Sequence, residues 1–108
     1  MSNLSVEKRV CEALLEIQQA VRSIDSEQAH RSVADKYGVL FLGPGKNEAS
    51  DAEVANSLGD YFDLDVSLDD FLAMLPRLSA AIGIGLNRKV ELKDVGKKDA
   101  KVRYLISF

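Results

Sequence analysis

Residues 88–108 read RKVELKDVGKKDAKVRYLISF. Val90 and Leu92 alternate with Lys89, Glu91 and Lys93, and Val102, Tyr104, Ile106 and Phe108 alternate with Lys101, Arg103 and Ser107. A period of two puts one face of each run on a core and the other in water, so the stretch predicts two strands around a charged turn. The apolar faces of the two strands must coincide, because a one-residue slip turns every side chain over. Pairing Leu92 with Tyr104 and Val90 with Ile106 meets that demand and leaves Lys97-Lys98-Asp99 as a short loop beside Gly96; a shift by two residues meets it as well.

Upstream the pattern is helical. In residues 5–24, Val6, Val10, Leu14, Ile17, Val21 and Ile24 recur at intervals of three and four, and Lys8, Glu12, Glu16, Gln19 and Arg22 fall on the opposite side. This is one amphipathic helix. Its stripe packs on its own domain or pairs with a second copy, which makes residues 1–24 a candidate dimerisation element. Asp25, with Gln28 three residues on, is expected to cap a second helix that runs to about Tyr37 and stops at Gly38. Val39-Leu40-Phe41-Leu42, bounded by Gly38 and Gly43-Pro44-Gly45, has the length and punctuation of a buried strand, followed by a loop, GPGKNEAS.

Ser50 with Glu53, and Ser67 with Asp70, have the capping spacing that opens two further helices. Val54, Leu58, Tyr61 and Phe62 give the first an inner face; Phe71, Leu72, Leu75, Leu78 and Ile82 do so for the second. Pro76 lies inside the second, where a missing donor and a clash with the preceding turn predict a kink or a division into two short helices. Gly83 and Gly85 end the helical region.

The expected architecture is therefore α+β: N-terminal helices, a short central strand and a C-terminal β-hairpin in one domain, 1–108. From about residue 25 onward, this order resembles that of a winged-helix domain: helix, strand, helix, helix, two-stranded wing. DAEVANSLGDYF looks like the first helix of many helix-turn-helix units. The resemblance is to an architecture, and it implies a fold and, as one option, DNA binding.

Composition bounds the rest. The 108 residues are 46% hydrophobic and 29% charged, enough for a core with an ordinary polar surface and a single domain. One cysteine, Cys11, allows no internal disulfide and is compatible with a reducing compartment. No apolar run approaches the roughly 20 residues of a membrane span, and MSNLSVEKRV lacks the basic and apolar regions of a secretory signal. A cytoplasmic location is expected.

Charge is unevenly distributed along the chain. Residues 51–70 hold seven acidic residues and no basic one, whereas residues 71–108 hold eight basic and three acidic. The expected molecule has an acidic middle and a basic end.

Catalytic and cofactor motifs fail on inspection. Gly43-Pro44-Gly45-Lys46 has Leu40 and Asn47 where a phosphate loop needs a glycine and a Ser or Thr, and Gly83-Ile84-Gly85 lacks the third glycine of a dinucleotide fingerprint. The single His30 and Cys11 cannot build a zinc site. Cys11 beside its apolar stripe reads as a packing residue and His30 as a surface residue. Asp63, Asp65, Ser67 and Asp69 are spaced like the first ligands of a calcium loop, without its glycine and closing glutamate. No enzyme, cofactor or metal is expected.

Two functions from different classes fit. The first is a small non-enzymatic interaction module (adaptor, inhibitor or immunity-type protein) whose Asp60, Asp63, Asp65, Asp69 and Asp70 attract a basic partner. The alternative is a winged-helix DNA-binding regulator in which Lys97, Lys98, Lys101 and Arg103 of the wing and Arg77 of the preceding helix contact double-stranded DNA. Asp69 and Asp70 count against the second, because they stand where that helix would approach phosphates.

Overall fold

The computed structural model describes residues 3–43, 45–89 and 103–108. Among them are helices α1 (Asn3–Arg22), α2 (Glu27–Tyr37), α3 (Asp51–Asp60) and α4 (Leu68–Ile82), and strands β1 (Glu48–Ser50), β2 (Gly85–Lys89) and β3 (Arg103–Ser107). The strands form one antiparallel sheet in the order β1-β3-β2. The fold is α+β, and the chain's last strand occupies the centre of the sheet.

The alternation of β3 places Ile106 and Phe108 in the core, as expected. Its partner differs. Ile106 pairs with Leu86 and Tyr104 with Arg88, four residues earlier than Val90 and Leu92. A four-residue shift is even, so the same face of β3 stays inward. The strand begins directly after the α4 terminator, because Ile84 is already buried and Leu86 offers Ile106 an apolar neighbour. Val90, Leu92, Lys93 and the proposed turn lie outside the described residues.

The third strand is also elsewhere. Residues 39–42 are not a strand: only Leu42 pairs, in a single bridge with Glu48. Val39 and Phe41 are buried while Leu40 and Leu42 are about half exposed, at 55% and 54%. The sheet instead uses Glu48–Ser50, within the stretch read as a loop, and pairs Ala49 with Ile106. Ladder bonds to β3 decide this, since three residues carry too little pattern to announce a strand. Side chains hold the 39–42 backbone beside β1: Glu53 accepts from the Leu40 N–H at 2.8 Å, and His30 Nε2–H donates to the Phe41 carbonyl at 2.9 Å. His30 is thus half-buried and bonded, where a surface position was expected.

The helices follow their capping residues. Ser50 and Ser67 accept from the N–H groups of Glu53 and Asp70. α2 is capped by Ser26, which accepts from Ala29 N–H, one residue beyond the expected Asp25. Gly38 (φ 66°) and Gly83 (φ 75°) end α2 and α4 in the left-handed conformation, which costs a side chain-bearing residue more than glycine. α4 runs through Pro76 as one helix and is not divided.

The core joins Leu14 and Ile17 of α1, Leu58 of α3, Phe71 and Leu75 of α4, Phe41 and Ile106. Val10, Leu14, Ile17 and Val21 are all buried inside their own chain. These four stripe residues therefore pack within the domain, while Val6 and Ile24 at the ends of the stripe are partly buried. Buried Gln18 completes the seam by donating to the Ile82 carbonyl at 2.9 Å, near the end of α4, where backbone acceptors lack helical partners. Among the described residues no helix is long and apolar enough to cross a membrane.

Candidate functional site

The acidic run lies on the surface from the end of α3 to the first turn of α4. Asp60 ends α3, Asp63 and Asp65 lie on the link to α4, and Asp69 and Asp70 form the first turn of α4. All five are exposed. The link turns sharply at Asp63, whose φ of 55° lies in the left-handed region that Asp tolerates better than most residues. Buried Leu64 pins the link, and its N–H donates to the Leu58 carbonyl at 2.8 Å. Asp69 and Asp70 stand in the first turn of α4, where the helix end carries a partial positive charge.

Asp65 and Asp70 line a cleft of about 330 Å³ between α1, the link and α4. Val6, Val66, Ala73 and Met74 supply its apolar lining, and Glu7, Asp65, Asp70 and Arg77 its charges. Arg77 is ion-paired with Glu7 of α1, 70 residues away in sequence. Those two charges cancel, which leaves the cleft negative through Asp65 and Asp70. Neither has a side-chain partner among the described residues. A second, shallower cleft of about 220 Å³ lies along α1, with Glu12, Glu16 and Arg9 beside Phe62 and Leu64 of the link. Carboxylates from α1 thus extend the negative surface. Such an arrangement can desolvate an aliphatic stem against Met74 and the valines while attracting the cation at its end.

Two of the seven acidic residues in 51–70 do not belong to this face. Asp51 is buried, 1% exposed, at the start of α3. Arg103 donates to both of its oxygens, at 2.9 and 2.5 Å, and the Tyr104 N–H donates at 2.9 Å. Burial alone raises the Asp51 carboxyl, but the Arg103 hydrogen bonds, the Tyr104 and Ala52 N–H groups and the Arg103 charge outweigh it, and its pKa is lowered. Glu53 is held by Ser50 and the Leu40 N–H.

The nucleic-acid candidates fare differently from one another. Arg77 is exposed but paired with Glu7, and Arg103 is partly buried on Asp51. Lys97, Lys98 and Lys101 lie outside the described residues. Cys11 is half-buried on α1, and His30 is taken by Phe41. Among the described residues no three His, Cys, Asp or Glu side chains gather where a metal ion could sit, so Asp63, Asp65 and Asp69 are spread along the surface.

Sequence reasoning missed Glu7 and the Asp51–Arg103 pair. Both join residues more than 50 positions apart, and no local periodicity encodes such a meeting. Glu7 did carry a signal, since it flanks the stripe residue Val6. Comparison with protein-family models, curated proteins and solved structures returned no match.

Proposed function

We propose that this chain is a small non-enzymatic interaction module, of the adaptor, inhibitor or immunity type, that docks a basic protein through Asp60, Asp63, Asp65, Asp69 and Asp70. One observation carries the reading: five carboxylates are exposed between the end of α3 and the start of α4, and two of them, Asp65 and Asp70, line a half-apolar cleft whose arginine is already paired with Glu7. Surface carboxylates of one sign steer a cationic partner and speed its association. The cleft adds an apolar lodging for lysine or arginine stems. The single cysteine and the absence of a membrane-length helix among the described residues fit a cytoplasmic role.

The test is simultaneous change of Asp63, Asp65, Asp69 and Asp70 to Asn. Capture of a basic partner from lysate should be lost while circular dichroism stays unchanged. Replacing the two helix-start aspartates costs a few tenths to about 1 kcal/mol each, which the fold can bear. Unchanged capture by the variant sinks the proposal.

The alternative is a winged-helix-like arrangement that binds double-stranded DNA. The element order from α2 onward and the hairpin-like pairing of β2 with β3 favour it. The face that would enter the groove weighs against it: Asp69 and Asp70 open α4, and Arg77 and Arg103 each hold a carboxylate. A salt series on a mixed-sequence duplex decides, since phosphate binding weakens steeply with salt. Absence of binding at low salt removes this alternative.

A further inference from the structure

A third cleft, of about 230 Å³, opens between the end of α2 and the end of α3. Its aromatic wall is Tyr37 and Tyr61, edge to face with ring centroids 4.9 Å apart. Tyr37 is buried and fixed by its hydroxyl, which donates to Glu16 at 2.8 Å. Phe62 supports both rings, stacked on Tyr37 at 5.8 Å and edge-on to Tyr61 at 4.8 Å. Tyr61 remains 43% exposed, one of three large apolar residues the described surface shows.

The cleft already holds a cation. Lys36 Nζ stands 5.2 Å from the Tyr37 centroid and 5.8 Å from that of Tyr61. Contact with the Tyr37 hydroxyl raises Lys36 above the ordinary lysine value. Around the rings stand further acceptors. Asp35, Asp60 and Asn56 line the cleft. So does Ser57, which is 2% exposed and whose hydroxyl has no hydrogen-bond partner. A buried hydroxyl without a partner forgoes the bond that folding normally supplies. Asp35 and Asp60 likewise have no side-chain partner among the described residues.

We propose that this cleft receives an arginine side chain of the basic partner, its guanidinium displacing the Lys36 ammonium from the two tyrosine rings. The proposal rests on the interaction-module reading and names one anchor within it. Rings that attract an ammonium attract a guanidinium as well, and the flat guanidinium also stacks. The donor count favours arginine: its fork carries five N–H donors, enough for Asp35, Asp60, Asn56 and Ser57, whereas an ammonium has three and no fork. Lys36 is an exposed intramolecular placeholder. It keeps the rings occupied until a better-shaped cation arrives.

The test is a ¹H–¹⁵N titration of the whole chain with N-acetyl-arginine-N-methylamide, beside its neutral isostere N-acetyl-citrulline-N-methylamide. Arginine amide should shift Lys36, Asn56, Ser57 and Tyr61, and the citrulline amide should not. Removing the competitor by Lys36→Gln should tighten apparent binding about two- to fivefold, the scale of an exposed cation–π contact. Tyr61→Ala and, where that variant disturbs the fold, Asp60→Asn should weaken binding at least as much. Equal shifts with both amides, shifts elsewhere, or weaker binding by Lys36→Gln overturn the proposal. Those results leave the Asp63/65/69/70 capture test untouched, so the two readings fail separately.

Discussion

At the residue scale, the Asp51–Arg103 pair is the most consequential contact. It ties the first turn of α3 to the central strand and satisfies the Tyr104 N–H as well. Asp51→Ala removes the acceptor of the Tyr104 N–H and the carboxylate held by the partly buried Arg103, so it should cost about 2 kcal/mol, and Tm should fall by roughly 8–16 °C. The pH dependence has a definite sign. The folded carboxyl titrates below its unfolded value, so the pair's stabilisation is complete above about pH 4 and is lost as pH falls toward the lower folded value. Urea unfolding of wild type and Asp51→Asn at stepped pH checks this: the gap between them should be widest near neutrality and shrink below pH 4. A gap independent of pH contradicts it.

At the element scale, α4 carries a tension that its neighbours absorb. Pro76 removes a backbone donor from mid-helix, yet Phe71, Leu75 and Leu78 keep the helix whole against the core. Ser79 Oγ donates to the Pro76 carbonyl at 3.0 Å. Proline costs about 3 kcal/mol against alanine in a helix interior, and the freer unfolded chain returns up to about 1 kcal/mol of that. Pro76→Ala should therefore stabilise by about 2–3 kcal/mol in chemical denaturation; a loss of stability would contradict this. In α1 the stripe is core, so Leu14→Ala should cost about 2–5 kcal/mol. Chemical denaturation of the variant reads that loss.

The helices were legible in the sequence, because capping serines, apolar stripes and terminating glycines act over a few residues. The strands were legible only in part. β3 announced itself by alternation, but its partner did not, since several even registers satisfy the same face and Gly85-Leu86-Asn87 carries little pattern. β1 was invisible: Glu48–Ser50 becomes a strand only because β3 lies beside it. The acidic face was readable as composition. Its cleft was not, because Glu7 reaches it from α1 and only folding brings Glu7 to Arg77. Asp51 misled for the same reason, counted as surface charge while Arg103 held it inside.

At the scale of the whole molecule, the proposed role is one of charge complementarity. Asp60, Asp63, Asp65, Asp69 and Asp70 are exposed between α3 and α4, Asp65 and Asp70 line the Val6–Met74 cleft, and the arginine of that cleft is bound to Glu7. Hydrogen-exchange footprinting of the chain with its captured partner tests that claim most directly. Protection should rise at residues 60–70 and at Met74, with little change in β2 and β3. Protection confined to β2 and β3, with residues 60–70 unaltered, would contradict it.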